Sequence, residues 1–314
     1  MSRDPFPHDP QGAGEVRDTS TRRLTRQQRS AAPDVRDSRN SPSAVFSRAD
    51  SAERLERHPT PDERRDSQNA CDVRDRAYLL RDSEMHALEE IGKFRVIAVS
   101  DLAEFAYCGN RNRMEKSLRA LTRQSLVTDR TLEISQKKTL RIVTLTKTGF
   151  RLLKDTNQVP DDQPIYHGLV NPREVKHDAE LYRLYQKEAA NIKRGGGRPI
   201  RVLLDFELKR NLNRDLALLG QEKDDPNAKE RIAEKHSLHV VNGKIPVPDL
   251  RVEYETSELE LRRLDLELLT REYRPRAMAE KASAGFSLYG RSEDTSRLRR
   301  VLDEQEITAR ILTL

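Results

Sequence analysis

Asp249, Asp265 and Glu267 are the residues whose types and spacing most directly suggest chemistry. The alternation in Leu264-Asp265-Leu266-Glu267-Leu268 predicts a strand whose leucines share one face, so the two acids share the other. Two carboxylates side by side are unfavourable unless water or a cation neutralises them. Joined by Asp249, from Pro248-Asp249-Leu250 on an expected neighbouring strand, they could offer hard oxygen ligands to Mg²⁺ or Mn²⁺. Such ions activate water and stabilise charge developing at phosphorus. The same spacing suits an edge strand with a solvated acidic face, and spacing alone leaves both readings open.

These acids need a scaffold, and the sequence around them supplies its elements. A helix is expected from Lys176 to about Ile192, with Leu181, Leu184, Tyr185, Ala189 and Ile192 toward the core, and His177 and Glu180 sharing one side of it. The turn Arg194-Gly195-Gly196-Gly197-Arg198-Pro199 leads into a strand from Ile200 to Phe206 and then a charged helical stretch. The glycine triplet has no following Gly-Lys-Ser/Thr, so it does not read as a phosphate loop. Strands are expected over 249–255 and 263–269, a helix carrying Lys281 follows, and the segment 293–314 reads as helix then strand, able to finish the core or to form a dimer contact. Pro160, Asp161, Asp162, Pro164 and Pro172 break any regular pattern, which predicts a linker over 158–171 and a domain over 172–314.

Residues 76–157 predict a second domain. A helix beginning near Ser83, a short one through Leu102 and Phe105, and a third from about Asn110 to Gln124 precede two alternating segments, 127–134 and 139–145, joined by a polar turn. Three helices and a hairpin in this order predict a winged helix-turn-helix. The stretch Leu145-Thr146-Lys147-Thr148-Gly149-Phe150 is similar to the segment after the wing in bacterial regulators of that type. Residues 109–155 hold twelve Lys or Arg against four acids, which suits phosphate neutralisation on double-stranded DNA. In that geometry Asn110, Arg111, Asn112 and Arg113 approach base edges, Lys116, Arg119 and Arg123 lie along the same helix, and Lys137 and Lys138 sit at the wing tip. A solvated helical face used for protein contacts is the alternative.

Residues 1–75 carry fourteen Arg and fourteen Asp or Glu with few apolar residues, so they predict a disordered tail that cannot offset ordering entropy of roughly 1–2 kcal/mol per residue. The formal net charge of +6 therefore belongs to the rest of the chain. A polar start, two cysteines and the lack of any apolar stretch near the ~20 residues of a spanning helix predict a cytoplasmic protein without a membrane partner. No nucleotide-binding fingerprint, nucleophile elbow or zinc-ligand spacing is present.

The order of a His-led helix, a strand, Pro248-Asp249, Leu264-Asp265-Leu266-Glu267-Leu268, Lys281 and Gly285-Phe286-Ser287-Leu288-Tyr289 resembles the replication-relaxation family of bacterial plasmid and mobile-element proteins. The resemblance covers about residues 78–290 and implies a winged helix joined to a PD-(D/E)xK, restriction-endonuclease-like α/β domain with a mixed sheet, an α+β fold overall. It implies that Asp249 and Glu267 hold Mg²⁺ or Mn²⁺ if the centre is active, with Asp265 in support and a lysine two residues after the glutamate. That position is Leu269, so the role falls to Lys281 or to Lys244, with His177 and Glu180 completing the site. The implied activity is DNA nicking or cleavage, and the alternative is a non-catalytic transcription or copy-number regulator with a degenerate nuclease-like domain. A homodimer and replication or mobilisation proteins are the further partners consistent with either.

Overall fold

Asn110 and Thr146 show how local chemistry sets the first half of the fold. The Asn110 side chain accepts the Arg113 N–H at 3.0 Å and starts one helix; the Thr146 hydroxyl accepts the Gly149 N–H at 3.0 Å and starts another. A Cβ on Gly149 would lie 2.3 Å from the Leu126 carbonyl oxygen, so the helix after the wing can approach that backbone only through glycine.

The computed structural model describes residues 66–73, 76–135, 138–168, 174–219, 227–271, 273–304 and 311–314. Of the tail expected over 1–75, residues 1–65, 74 and 75 lie outside these residues, as does Lys137. Residues assigned by sequence to the end of the tail form β1 (Gln68–Val73), which pairs antiparallel with β2 (Arg76–Arg81). That corrects the expected disorder over 68–73: Val73, Tyr78 and Leu80 bury themselves in the main core, giving the hairpin an apolar anchor.

Next come α1 (Asp82–Lys93), β3 (Ile97–Ala98), α2 (Val99–Phe105), α3 (Arg111–Arg123), β4 (Val127–Ser135), β5 (Lys138–Leu145) and α4 (Lys147–Asp155). The short sheet has the order β3-β5-β4, all antiparallel, so three helices sit against a hairpin wing as expected of a winged helix.

The remainder is α5 (Val175–Arg194), β6 (Arg198–Leu204), α6 (Asp205–Leu219), α7 (Ala228–Lys235), β7 (Leu250–Glu255), β8 (Leu261–Leu269), α8 (Pro275–Ser283), β9 (Ser287–Gly290), α9 (Thr295–Glu304) and β10 (Ile311–Thr313). Its sheet runs β10-β9-β8-β7-β6, with β7 antiparallel to both neighbours and β8, β9 and β10 parallel. Leaving aside α6 and α7, inserted between β6 and β7, the core is a helix, three antiparallel strands, a helix and a strand parallel to the third, a mixed sheet in an α+β fold. The strand expected to reach Phe206 stops at Leu204, where α6 begins. β10 completes the sheet, with Ile311 buried.

Alternate residues of β8 face different layers. Leu266 and Leu268 join Leu181, Tyr182 and Leu184 of α5 and the winged-helix core, whereas Leu269 packs with Met278 of α8 and Leu208 and Leu212 of α6. The connector between the two halves is packed as well: the buried Gln163 amide donates to the Val202 carbonyl at 2.8 Å and accepts the Val202 N–H at 2.9 Å, closing the outer edge of β6. Among the described residues no helix is long and apolar enough to cross a membrane.

Candidate functional site

Asp249 stands immediately before β7 and Glu267 near the end of β8, and the pairing of these strands brings the two carboxylates together. The Asp249 N–H donates to Glu267 Oε2 at 3.2 Å, and the Leu268 N–H donates to Asp249 Oδ2 at 2.9 Å. α8 supplies the third member. Lys281 Nζ lies 2.8 Å from Glu267 Oε1 and 2.9 Å from Oε2, and donates to the Val247 carbonyl at 2.6 Å. From α5, His177 Nε2 meets Asp249 Oδ2 at 3.2 Å.

The absence of a lysine at position 269 now has a physical reason. Leu269 lies on the same face of β8 as Glu267, fully buried under α8 beside Met278. An ammonium there would be placed in an apolar layer at high cost. Lys281, one turn after Met278 on the helix that covers this face, brings its charge to Glu267 from α8. Lys244, the other candidate, is exposed and pairs with Glu280 at 3.8 Å.

Two residues grouped with this site by sequence are held elsewhere. Asp265 lies directly across from Arg251 in the β7/β8 register, and the two form a fork with contacts of 2.6 and 2.8 Å. Arg251 is buried and also donates to the His236 and Ser237 carbonyls, so Asp265 serves a buried structural ion pair. Glu180 faces Arg291, in the loop after β9, with contacts of 2.7 to 2.9 Å, and fastens α5 to that loop. The shared acidic face is thus neutralised by one protein cation for each acid: Arg251 for Asp265 and Lys281 for Glu267.

Sequence reasoning missed Tyr273, whose hydroxyl donates to Glu267 Oε1 at 2.5 Å. The available signal was Pro275, which marks the first turn of α8 and so requires the chain to turn back toward β8 just after Tyr273. It also missed Asp178, beside His177 Nδ1 at 3.7 Å.

The electrostatics follow from this packing. Burial raises the Asp249 carboxyl, but the His177 contact and charge, the Leu268 N–H and Lys281 outweigh it and hold the group below its usual value. Burial and the charge of Asp249 push Glu267 up, against the pull of Lys281 and Tyr273. For His177, burial disfavours the proton, yet Asp178 and Asp249 prevail and lift it to about 10. Burial and the neighbouring Glu267 push Tyr273 up, which keeps its hydroxyl a donor.

Mg²⁺ keeps several waters and needs only one or two carboxylates, so the adjacent Asp249 and Glu267 fit a hydrated hard cation. A fully protein-caged ion does not fit: among the described residues no group of three His, Cys, Asp or Glu side chains could hold a metal. Lys281 contacts both Glu267 oxygens and is the competing cation there.

The winged helix carries the second candidate surface. Arg111, Asn112, Lys116, Arg119 and Arg123 are exposed along α3, and Lys138 is exposed at the start of β5. Asn110 is engaged as the helix cap, and the half-buried Arg113 pairs with Asp66 at 3.0 Å.

No known protein family matches the chain, and no curated protein matches it. Among solved structures, Bacillus subtilis PadR in complex with operator DNA is similar at 16% identity, over 49% of this chain and 93% of that one, with a TM-score of 0.21. A likeness of that size carries no argument about this protein.

Proposed function

We propose that this chain is a duplex-DNA-binding protein of replication-relaxation type, whose winged helix brings a metal-dependent phosphodiesterase centre to plasmid or mobile-element DNA. The DNA-binding part is supported by the exposed cations along α3, and the replicon assignment rests on the sequence resemblance. The observation that carries the catalytic part is Lys281 Nζ within 2.9 Å of Glu267 beside Asp249, which supplies from α8 the ammonium missing at position 269.

Asp249 and Glu267 would hold the ion. Bound there, Mg²⁺ or Mn²⁺ supplies an activated water and offsets charge on the phosphoryl oxygens. Lys281 is the donor available to the scissile phosphate as negative charge develops. His177, protonated at neutral pH, orients Asp249 through their 3.2 Å contact.

A non-catalytic regulator is the second reading, favoured by one feature of the same site: each carboxylate already has a protein cation, Lys281 on Glu267 and His177 on Asp249. The two readings part in one experiment. Purified protein, Asp249→Ala and Glu267→Ala are incubated with supercoiled plasmid and Mg²⁺ or Mn²⁺ at low salt, with duplex binding recorded in the same samples. Metal-dependent nicking lost in both variants while binding persists supports the nuclease; binding without any nicking sinks catalysis and leaves the regulator.

A further inference from the structure

The β1–β2 hairpin lies against α3. Tyr78 and Leu80 anchor it in the core, and the Gln124 side-chain amide, at the end of α3, pairs with both the N–H and the carbonyl of Leu79 at 3.3 Å each. Between the hairpin and α3 is a cleft of about 490 Å³ with Arg76 and Arg81 on one wall and Lys116 and Arg123 on the other. Glu84 is the one acid among the cleft residues; it is buried and accepts the Arg81 backbone N–H at 2.9 Å. Arg76 is stacked over the Tyr78 ring at 5.0 Å, which holds its guanidinium on the hairpin surface.

The other flank of α3 belongs to the wing. Arg141 of β5 bridges Glu115 of α3 and Asp129 of β4, tying helix and wing together. At ~100° per residue, Asn112, Lys116, Arg119 and Arg123 fall within about 60° of arc, a stripe between these two flanks. Arg119 and Arg123 donate from Nε to carbonyls one turn back, so their charged ends are held along the helix. Among the described residues, Arg76, Lys116, Arg119 and Arg123 form no ion pair with an acid.

We propose that the β1–β2 hairpin is a second wing: Arg76 and Arg81 hold backbone phosphates of duplex DNA alongside the face of α3 that enters the groove, opposite the wing formed by β4 and β5. The inference rests on the DNA-binding reading above and extends it to a hairpin whose first strand the sequence assigned to the tail and whose second strand lies at the start of the winged-helix domain. Four cations facing one cleft suit a polyanion. A duplex fits better than an acidic peptide because the cleft continues into the α3 stripe, which presents a row of cations rather than apolar anchors.

The test is the salt dependence of duplex binding by full-length protein, Arg76→Gln/Arg81→Gln, and Arg262→Gln as a control cation on β8. Each phosphate contact contributes about 0.9 to the slope of log K against log salt, so the double variant is expected to lose about 2 from that slope, equally on unrelated sequences. Circular dichroism and thermal melting matching the parent protein establish that the variant is folded, since Arg81 caps α1 through its backbone. A folded double variant with the parent slope overturns the second wing while DNA binding stands. Absence of salt-dependent duplex binding by the parent protein overturns the DNA reading and this inference with it, and if the parent then binds polyglutamate, with that binding weakened in the double variant, the cleft is assigned to an acidic protein instead.

Discussion

Replacing Lys281 by Met removes the one cation in contact with Glu267 among the described residues and leaves a carboxylate whose side chain is 2% exposed. Losing one partner of a buried ion pair costs ~3–5 kcal/mol, because the remaining charge is neither solvated nor paired. Lys281 is itself 18% exposed, and Tyr273 and the Asp249 N–H still donate to Glu267, so about 2–3 kcal/mol is expected at pH 7.5. The pH dependence has a definite sign. Burial and Asp249 already raise Glu267 above 4.5, and loss of Lys281 raises it further. Between 4.5 and the higher native value the folded variant binds more protons than the unfolded chain, so its stability relative to the parent falls as pH rises. Urea unfolding with chelator present, at pH 5 and 7.5, measures this directly, provided the m-value is unchanged. Adding Glu267→Gln should recover most of the loss, since a neutral amide needs no cation. Destabilisation below about 0.5 kcal/mol at pH 7.5, or an equal loss at both pH values with strict additivity, would refute the assignment of Lys281 as the counter-ion of Glu267.

Three further outcomes follow from the same contacts. Asp265→Asn should destabilise by about 2–4 kcal/mol by stranding the buried Arg251, yet leave Mn²⁺ affinity as in the parent, whereas Asp249→Asn should weaken Mn²⁺ binding in calorimetry; a metal defect in Asp265→Asn would return that residue to the site. In chelator, the His177 contribution to stability is fully present below its unfolded value of 6.5 and is lost as pH rises through about 10, so His177→Gln should flatten the stability profile across that window; parallel parent and variant profiles would contradict the contact with Asp249. Gly149→Ala should cost about 1–3 kcal/mol by forcing α4 away from Leu126, read as a lowered melting temperature with secondary structure retained; an unchanged melting temperature would count against that close approach.

How far the sequence reached depends on the range of the interactions involved. Periodicity and caps act within a few residues, which is why the three helices and the wing of residues 82–145, the alternation of β8 and the helix led by His177 were legible. Asp249 and Glu267 were legible as neighbours because strand pairing follows from two adjacent alternating runs. The β1–β2 hairpin was not, since its segment reads as polar and charged. Only the core under Tyr78 and Leu80 makes ordering it favourable.

The partners of each charge were decided by tertiary structure alone. Asp265 and Glu267 look alike in the sequence, two residues apart on one face. Register places Arg251 across from the first, and the cover of α8 brings Lys281 to the second. His177 and Glu180 share a side of α5, yet one reaches Asp249, just before β7, and the other Arg291, in the loop after β9. A sequence records which side chains carry charge and roughly which face they occupy. Which charge meets which depends on distances through space between residues 14 to 111 positions apart in these pairs, and local pattern carries no information about those.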